Sequence, residues 1–231
     1  HSLIGEISRD NEKIYYCVPA NAVNTETDAE YHQKILHSIF KSYESEEGYK
    51  LDPHPINEAL AIVYAEMEKK AYTGIGISLG GGMVNVCYAM YGNPIFQFAI
   101  VNSGDWIDKQ AAKATSESVT VINKEKQKVD LSKEPSNMIE RAINTQYRIM
   151  IEKTIQGIKD GLTNAKTNVR SAGAVDVVVA GGTSSIAGFD ILFKEAIKNA
   201  NLSVEIGNVV RAENPTYTIA KGCLIAAENS N

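Results

Sequence analysis

Ile77-Ser78-Leu79-Gly80-Gly81-Gly82-Met83 joins one apolar run to the next through three consecutive glycines, and this junction organises the middle of the chain. Glycine has no Cβ to hold a ligand at a distance, so successive backbone N–H groups there can converge on phosphate oxygens. The same residues equally suit a tight or bulged hairpin turn. Residues 73–79, 83–91 and 94–101 are rich in strand formers, with Gly92-Asn93 as a reversal. Short turns between such runs belong to an antiparallel meander, which parallel crossover units do not supply.

Further along, Ala180-Gly181-Gly182-Thr183-Ser184-Ser185 lies between the apolar run 175–180 and a helix expected from Ser184 or Ser185 to about residue 199. A helix start after a strand offers amides and a positive dipole end to an anion or nucleotide. It also reads as an ordinary strand-to-helix turn with a serine cap. A helix is expected after Ser103, a Lys-rich hairpin within 119–131, a long helix over 136–164 and a last strand over 204–210. Asn214-Pro215 should open a terminal helix, with proline at its favoured first position.

Upstream, Leu3-Ile4 and residues 14–18 read as two strands joined by a turn. Thr25 or Thr27 should cap a helix whose Tyr31, Ile35, Leu36, Ile39, Phe40 and Tyr43 make an apolar stripe that packs on something. Residues 44–55, charged and then Gly- and Pro-punctuated, read as a surface loop. Asn57 should cap a largely buried helix running to about Lys70. The succession of a meander, then helix, strand, helix, strand, helix, predicts a mixed sheet covered by helices, an α/β fold.

Composition narrows the functions. The 231 residues are 44% hydrophobic and 22% charged, an ordinary globular balance. With 23 Lys plus Arg against 28 Asp plus Glu the net charge is −5, which argues against a sequence-independent grip on nucleic acid. No apolar run reaches the roughly 20 residues that span a bilayer, so no membrane span is expected. Cys17, Cys87 and Cys223 lie far apart in apolar stretches and read as reduced and buried, which points to the cytoplasm. The chain lacks an initiator Met and reads as a fragment.

Six short motifs follow one another: Val18-Pro19-Ala20, Asn57-Glu58-Ala59-Leu60-Ala61, Leu79-Gly80-Gly81-Gly82, Gly104-Asp105-Trp106-Ile107-Asp108, Ala180-Gly181-Gly182-Thr183-Ser184 and Ala220-Lys221-Gly222-Cys223. In this order they resemble the superfamily of actin, DnaK-type chaperones and sugar kinases, closest to its DnaK-like and bacterial or archaeal actin-like branches. The resemblance covers nearly the whole chain. It implies an actin-like ATPase (ribonuclease-H-like) fold with mixed five-stranded sheets, the first lobe incomplete, and ATP or ADP held between two lobes with Mg2+. Residues 1–56 would be the remainder of the first lobe, 57–72 a connecting helix, 73–214 the second lobe and 215–231 a second connecting helix.

By the same resemblance Gly80, Gly81, Gly82 and Met83 match the second phosphate loop, and Gly181, Gly182, Thr183 and Ser184 the adenosine motif. Gly104 and Asp105 match a turn near phosphate and ribose. Glu58 matches an acidic position that helps arrange metal and attacking water, making it the catalytic candidate. Gly222 matches a close helix crossing. A bulky residue at Gly181 or Gly81 is then expected to weaken nucleotide binding without unfolding the chain.

The departures point the other way. Ser78 and Asn85 stand where the family's loop has aspartates, Met83 where it has Thr or Ser, and the opening Asp-x-Gly-Thr hairpin is not in the sequence. Magnesium prefers carboxylate and water oxygens, so metal-assisted phosphoryl transfer should be weak. No metal-ligand set is visible from spacing: His32 and His37 are off a common helical face, and His54 sits in the expected loop. Glu140 and Arg141 either face adenine or form a solvated pair, and Trp106 either joins the core or borders the nucleotide. Two functions follow: a nucleotide-binding protein that couples ATP or ADP to self-assembly or a protein partner, or a degenerate actin-like scaffold. A small-molecule kinase of the same superfamily fits less well, since no sugar-binding acid stands beside the glycine loops.

Overall fold

The computed structural model describes residues 7–23, 29–165 and 173–230. The expected strand at Leu3-Ile4 and the caps at Thr25 or Thr27 lie outside them. The first strand, β1 (Glu12–Val18), pairs in parallel with β2 (Leu51–Asn57), and α1 (Ala29–Lys41) connects them. The stripe on α1 is only half covered. Phe40 packs its ring 5.0 Å from Tyr16, whereas Tyr31, Ile35 and Ile39 stay 60%, 40% and 55% exposed.

Much of the segment expected as a loop is β2. Pro53 and Pro55 cannot donate to a ladder, but they stand two residues apart, so both missing N–H groups fall on the edge away from β1. Asn57 then caps α2 (Glu58–Glu66), its Oδ1 accepting from the Ala59 and Leu60 amides at 2.9 and 3.2 Å. A single 3-10 turn, Glu68–Lys70, completes that helix.

The meander is present as β3 (Gly74–Leu79), β4 (Val84–Met90) and β5 (Asn93–Ile100), antiparallel throughout. Its reversal is Tyr91-Gly92, with φ of 52° and 75°, a hairpin turn whose hand matches strand twist. Then come α3 (Gly104–Thr115), α4 (Val119–Lys126), α5 (Met138–Asn164), β6 (Val175–Ala180), α6 (Phe189–Asn199), β7 (Ile206–Arg211) and α7 (Thr218–Glu228). The sheet order is β5-β4-β3-β6-β7, with β3, β6 and β7 parallel. A five-stranded mixed sheet flanked by helices is therefore observed.

The Lys-rich hairpin is not. Residues 119–126 are α4, because Ser118 caps the Val121 amide and the i, i+4 pair Ile122 and Lys126 turns inward. The alternation of Lys124, Lys126 and Lys128 mimicked a strand. Lys126 reaches the buried Asp108, its ammonium 2.6 Å from Oδ1 at ion-pair distance but off hydrogen-bonding angle, while Asn123 donates to Oδ2 at 2.8 Å. A buried carboxylate needs such partners.

One core fills the space between the sheet and α3, α5 and α6, around Ile77, Val86, Ile107, Tyr147, Ile151 and Phe193. The opposite face of the sheet carries Cys87, Ala89, Val178 and Ala180 against Ala59, Ile62 and Val63 of α2. α7 crosses α2 beyond it. A Cβ at Gly222 would overlap the Ala61 carbonyl oxygen, and one at Gly76 would overlap that of Ala59, so both glycines permit close approach. The mouth of the sheet, where β3 ends at Leu79 and β6 at Ala180, holds the residues considered next.

Candidate functional site

Leu79 and Ala180 end neighbouring parallel strands, so the two glycine clusters emerge side by side. The first loop turns back on itself, the Gly80 amide donating to the Met83 carbonyl at 3.0 Å. Thr183 Oγ1 donates to the Gly80 carbonyl at 2.7 Å, and Ser103 Oγ donates to the same oxygen. The Gly104 and Asp105 amides donate to the Gly80 and Gly81 carbonyls at 3.3 and 2.8 Å. Residues 80–83, 103–105 and 181–184, three separate stretches of chain, are thereby joined around one carbonyl. A Cβ at Gly104 would lie 2.6 Å from Thr183 Oγ1, so any larger residue there has to displace the hydroxyl that bonds the Gly80 carbonyl.

These bonds set what the site can offer. The first amides of α3 are engaged by the glycine loop and do not face a ligand. Gly81, Gly82 and Gly182 remain exposed, and a Cβ at Gly82 or Gly182 would meet nothing within 4 Å. Asp105 brings its carboxylate to the rim, where Oδ1 would be 3.1 Å from a Cβ at Gly81. Met83 is half-buried behind the loop.

Gly181 has φ of 99°, and a Cβ there would overlap the Leu79 carbonyl oxygen. The expectation that a bulky Gly181 variant would spare the fold is therefore corrected. Beyond it the chain forms a 3-10 turn, Gly182–Ser185, and α6 begins only at Phe189 after Gly188 at φ 77°. Ser184 is not a helix cap. Its hydroxyl donates to the Gly181 carbonyl at 2.7 Å, and α6 does not start at this cluster. Two groups that sequence reading missed brace the turn: Tyr147 Oη donates to the Thr183 carbonyl at 3.1 Å, and Arg211 donates to the Ser184 carbonyl. Their distance along the chain left no local signal.

Glu58 opens α2 beneath the glycine loop. Its Oε2 accepts from Ser78 Oγ at 2.9 Å and Asn85 Nδ2 at 3.2 Å, and Asn85 Oδ1 accepts from the Ala20 amide at 2.8 Å. Ala20 and Glu58 are thus linked through Ser78 and Asn85, the residues that flank the glycine loop on β3 and β4. Among the described residues no group of His, Cys, Asp and Glu forms a metal cluster. Nor does any helix there have the length and apolarity to cross a membrane.

The remaining candidates are settled by their partners. Glu140 braces the start of α5, accepting from the Ser136 amide at 2.7 Å, while the N-cap Asn137 accepts from the Glu140 amide at 3.0 Å. Trp106 lies half-buried against the core, with Lys153 Nζ 5.9 Å from its ring centroid. His54 bonds Asp52 at 2.8 Å and stacks on Tyr15, and His32 and His37 are exposed.

The fold is shared with solved structures of low sequence identity. An ethanolamine utilization protein EutJ from Carboxydothermus hydrogenoformans is 18% identical with TM-score 0.55, the match covering 97% of this chain and 69% of that one. A non-polymerising MamK variant bound to AMPPNP is 17% identical with TM-score 0.65, over 98% and 72% of the two chains. The double helical MamK filament is 16% identical with TM-score 0.68, over 98% and 71%. All are actin-like proteins. No curated protein matches the sequence. A family model described as Volactin matches residues 1–227, so the chain belongs to the volactin family and has an actin-like fold.

Proposed function

We propose that this protein binds ATP or ADP at the joined glycine loops and couples the nucleotide to self-assembly or to a protein partner. The observation that carries the reading is the convergence of residues 80–82, 104–105 and 181–183 around the Gly80 carbonyl, with Gly82 and Gly182 open to a ligand. Phosphates would meet the loop of Gly80, Gly81 and Gly82, and the nucleoside the Gly181-Gly182-Thr183-Ser184 turn. Residues 1–56 and 73–214 would form two lobes linked by the helices within 57–72 and 215–231. That MamK binds AMPPNP and forms a filament on the same fold supports the reading. Three free thiols fit a cytoplasmic setting.

Turnover should be slow. Mg2+ would have Glu58 and Asp105 nearby, but the positions facing Glu58 are the neutral Ser78 and Asn85, which occupy its carboxylate themselves. That observation favours a second reading, a scaffold that keeps the fold with little hydrolysis. Isothermal titration of Mg-ATP and Mg-ADP tests the first on the parent, Gly82→Val and Gly182→Val. Binding by the parent, weakened at least tenfold in both variants at unchanged melting temperature, is expected. No binding by the parent, or equal affinity in all three, overturns the site and leaves the scaffold.

A further inference from the structure

We propose that Cys17 and Cys223 form an oxidisable pair whose disulfide ties β1 to α7. Their Sγ atoms stand 3.2 Å apart although 206 positions separate them in the chain. A disulfide needs about 2.05 Å, so about 1 Å remains to be closed. Packing already holds both elements: Cys17 is the β1 partner of Ile56 in β2, and Cys223 follows the glycine at the α2–α7 crossing. Both residues are partly buried rather than fully enclosed, which leaves room for a small oxidant, whereas Cys87 is buried, its thiol pushed up to about 12 by burial.

The two sulfurs are also chemically unequal. Hydrogen bonding to Cys223, with burial, pushes the Cys17 thiol up, and the same bond pulls Cys223 down, so Cys17 keeps the proton and Cys223 is the better thiolate. With hydrogen peroxide as oxidant, Cys223 thiolate attacks one peroxide oxygen. The O–O bond breaks, giving a sulfenic acid and hydroxide. Cys17 sulfur then attacks the Cys223 sulfur, the S–S bond forms and the S–O bond breaks. The departing oxygen leaves as water after taking the Cys17 proton, and the hydroxide carries the charge that Cys223 brought. The two sulfurs together lose two electrons, and the peroxide gains them.

The test is non-reducing peptide mapping of the folded protein after hydrogen peroxide, with melting curves alongside. A cross-linked pair of peptides carrying residues 17 and 223 is expected, reversible by dithiothreitol and retained in Cys87→Ser. Closing so long a loop should raise the melting temperature by roughly 5–15 °C. Cys17→Ser and Cys223→Ser should each lose cross-link and shift together, but the map of the parent decides the matter even where a variant folds poorly. Free thiols at both positions, a sulfinic acid on Cys223 without a cross-link, or a disulfide found only between molecules or only in urea would overturn the pair.

Discussion

Glu58, Ser78 and Asn85 show how much a single exchange of residue type decides. One Glu58 oxygen accepts from two neutral donors, at 2.9 and 3.2 Å, so its hydrogen-bonding capacity is met without a cation. Ser78→Asp would put a second carboxylate at the same contact. Two like charges at this range repel unless a proton or a divalent ion sits between them. The variant should melt below the parent in EDTA, and millimolar magnesium should return more of the loss than it adds to the parent. Equal responses to magnesium would mean that Glu58 does not face a cation-accessible space. The glycines carry the complementary lesson. Six of them were singled out from the sequence, but only geometry separates Gly181, where a Cβ strikes backbone, from Gly182, where it meets nothing.

At the scale of elements, what could be read in advance followed local chemistry. The long helix α5 is one case, although the partners at its start were not read from the sequence: Asn137 accepts the Glu140 amide and Glu140 the Ser136 amide. Asn137→Ala should cost about 1 kcal/mol, or roughly 2–4 °C in melting temperature. The Ser136 amide, then its hydroxyl, holds the Glu140 carboxyl below the usual carboxylate range. With the folded value depressed, its contribution is present above the unfolded pKa and fades as pH falls through the folded one. The melting-temperature gap between the parent and Glu140→Gln should therefore shrink on titrating from neutral into that acidic range. A constant gap would show that the charge contributes nothing.

The meander and α5 were legible because turn residues and apolar spacing agree there. β2 was not, since Pro53 and Pro55 argue against a strand until an open edge is known to receive them. α4 was hidden because alternating lysines match a strand period, while the partner that draws Lys126 inward, Asp108, sits on α3. The start of α6 was placed too early because Gly188, at φ 77°, supplies the turn that a serine cap was expected to supply.

In the whole molecule the β1–β2 unit meets the five-stranded sheet through few joints, and α7 is the one shared most widely. It packs on β1 and crosses α2, which lies on β3 and β4. Among the described residues further joints are α2 itself, which also packs on β1 and β2, the Ala20–Asn85 bond and the short bridge from Asn21 and Val23 to Ala99. Gly222 tests whether the crossing holds the two parts together. On a solvated helix face Gly→Ala gains about 1 kcal/mol of helix propensity. Here the new methyl would overlap the Ala61 carbonyl oxygen, and overpacking against backbone costs about 1–3 kcal/mol. The overlap should win, so that Gly222→Ala melts lower despite its better propensity. Calorimetry should also show the unfolding broadened, its van't Hoff enthalpy falling below the calorimetric one as the β1–β2 unit loosens first. A higher melting temperature with one sharp transition would mean that the helices separate freely at Gly222, and that cohesion between the two parts comes from β1 and the Ala20–Asn85 bond instead.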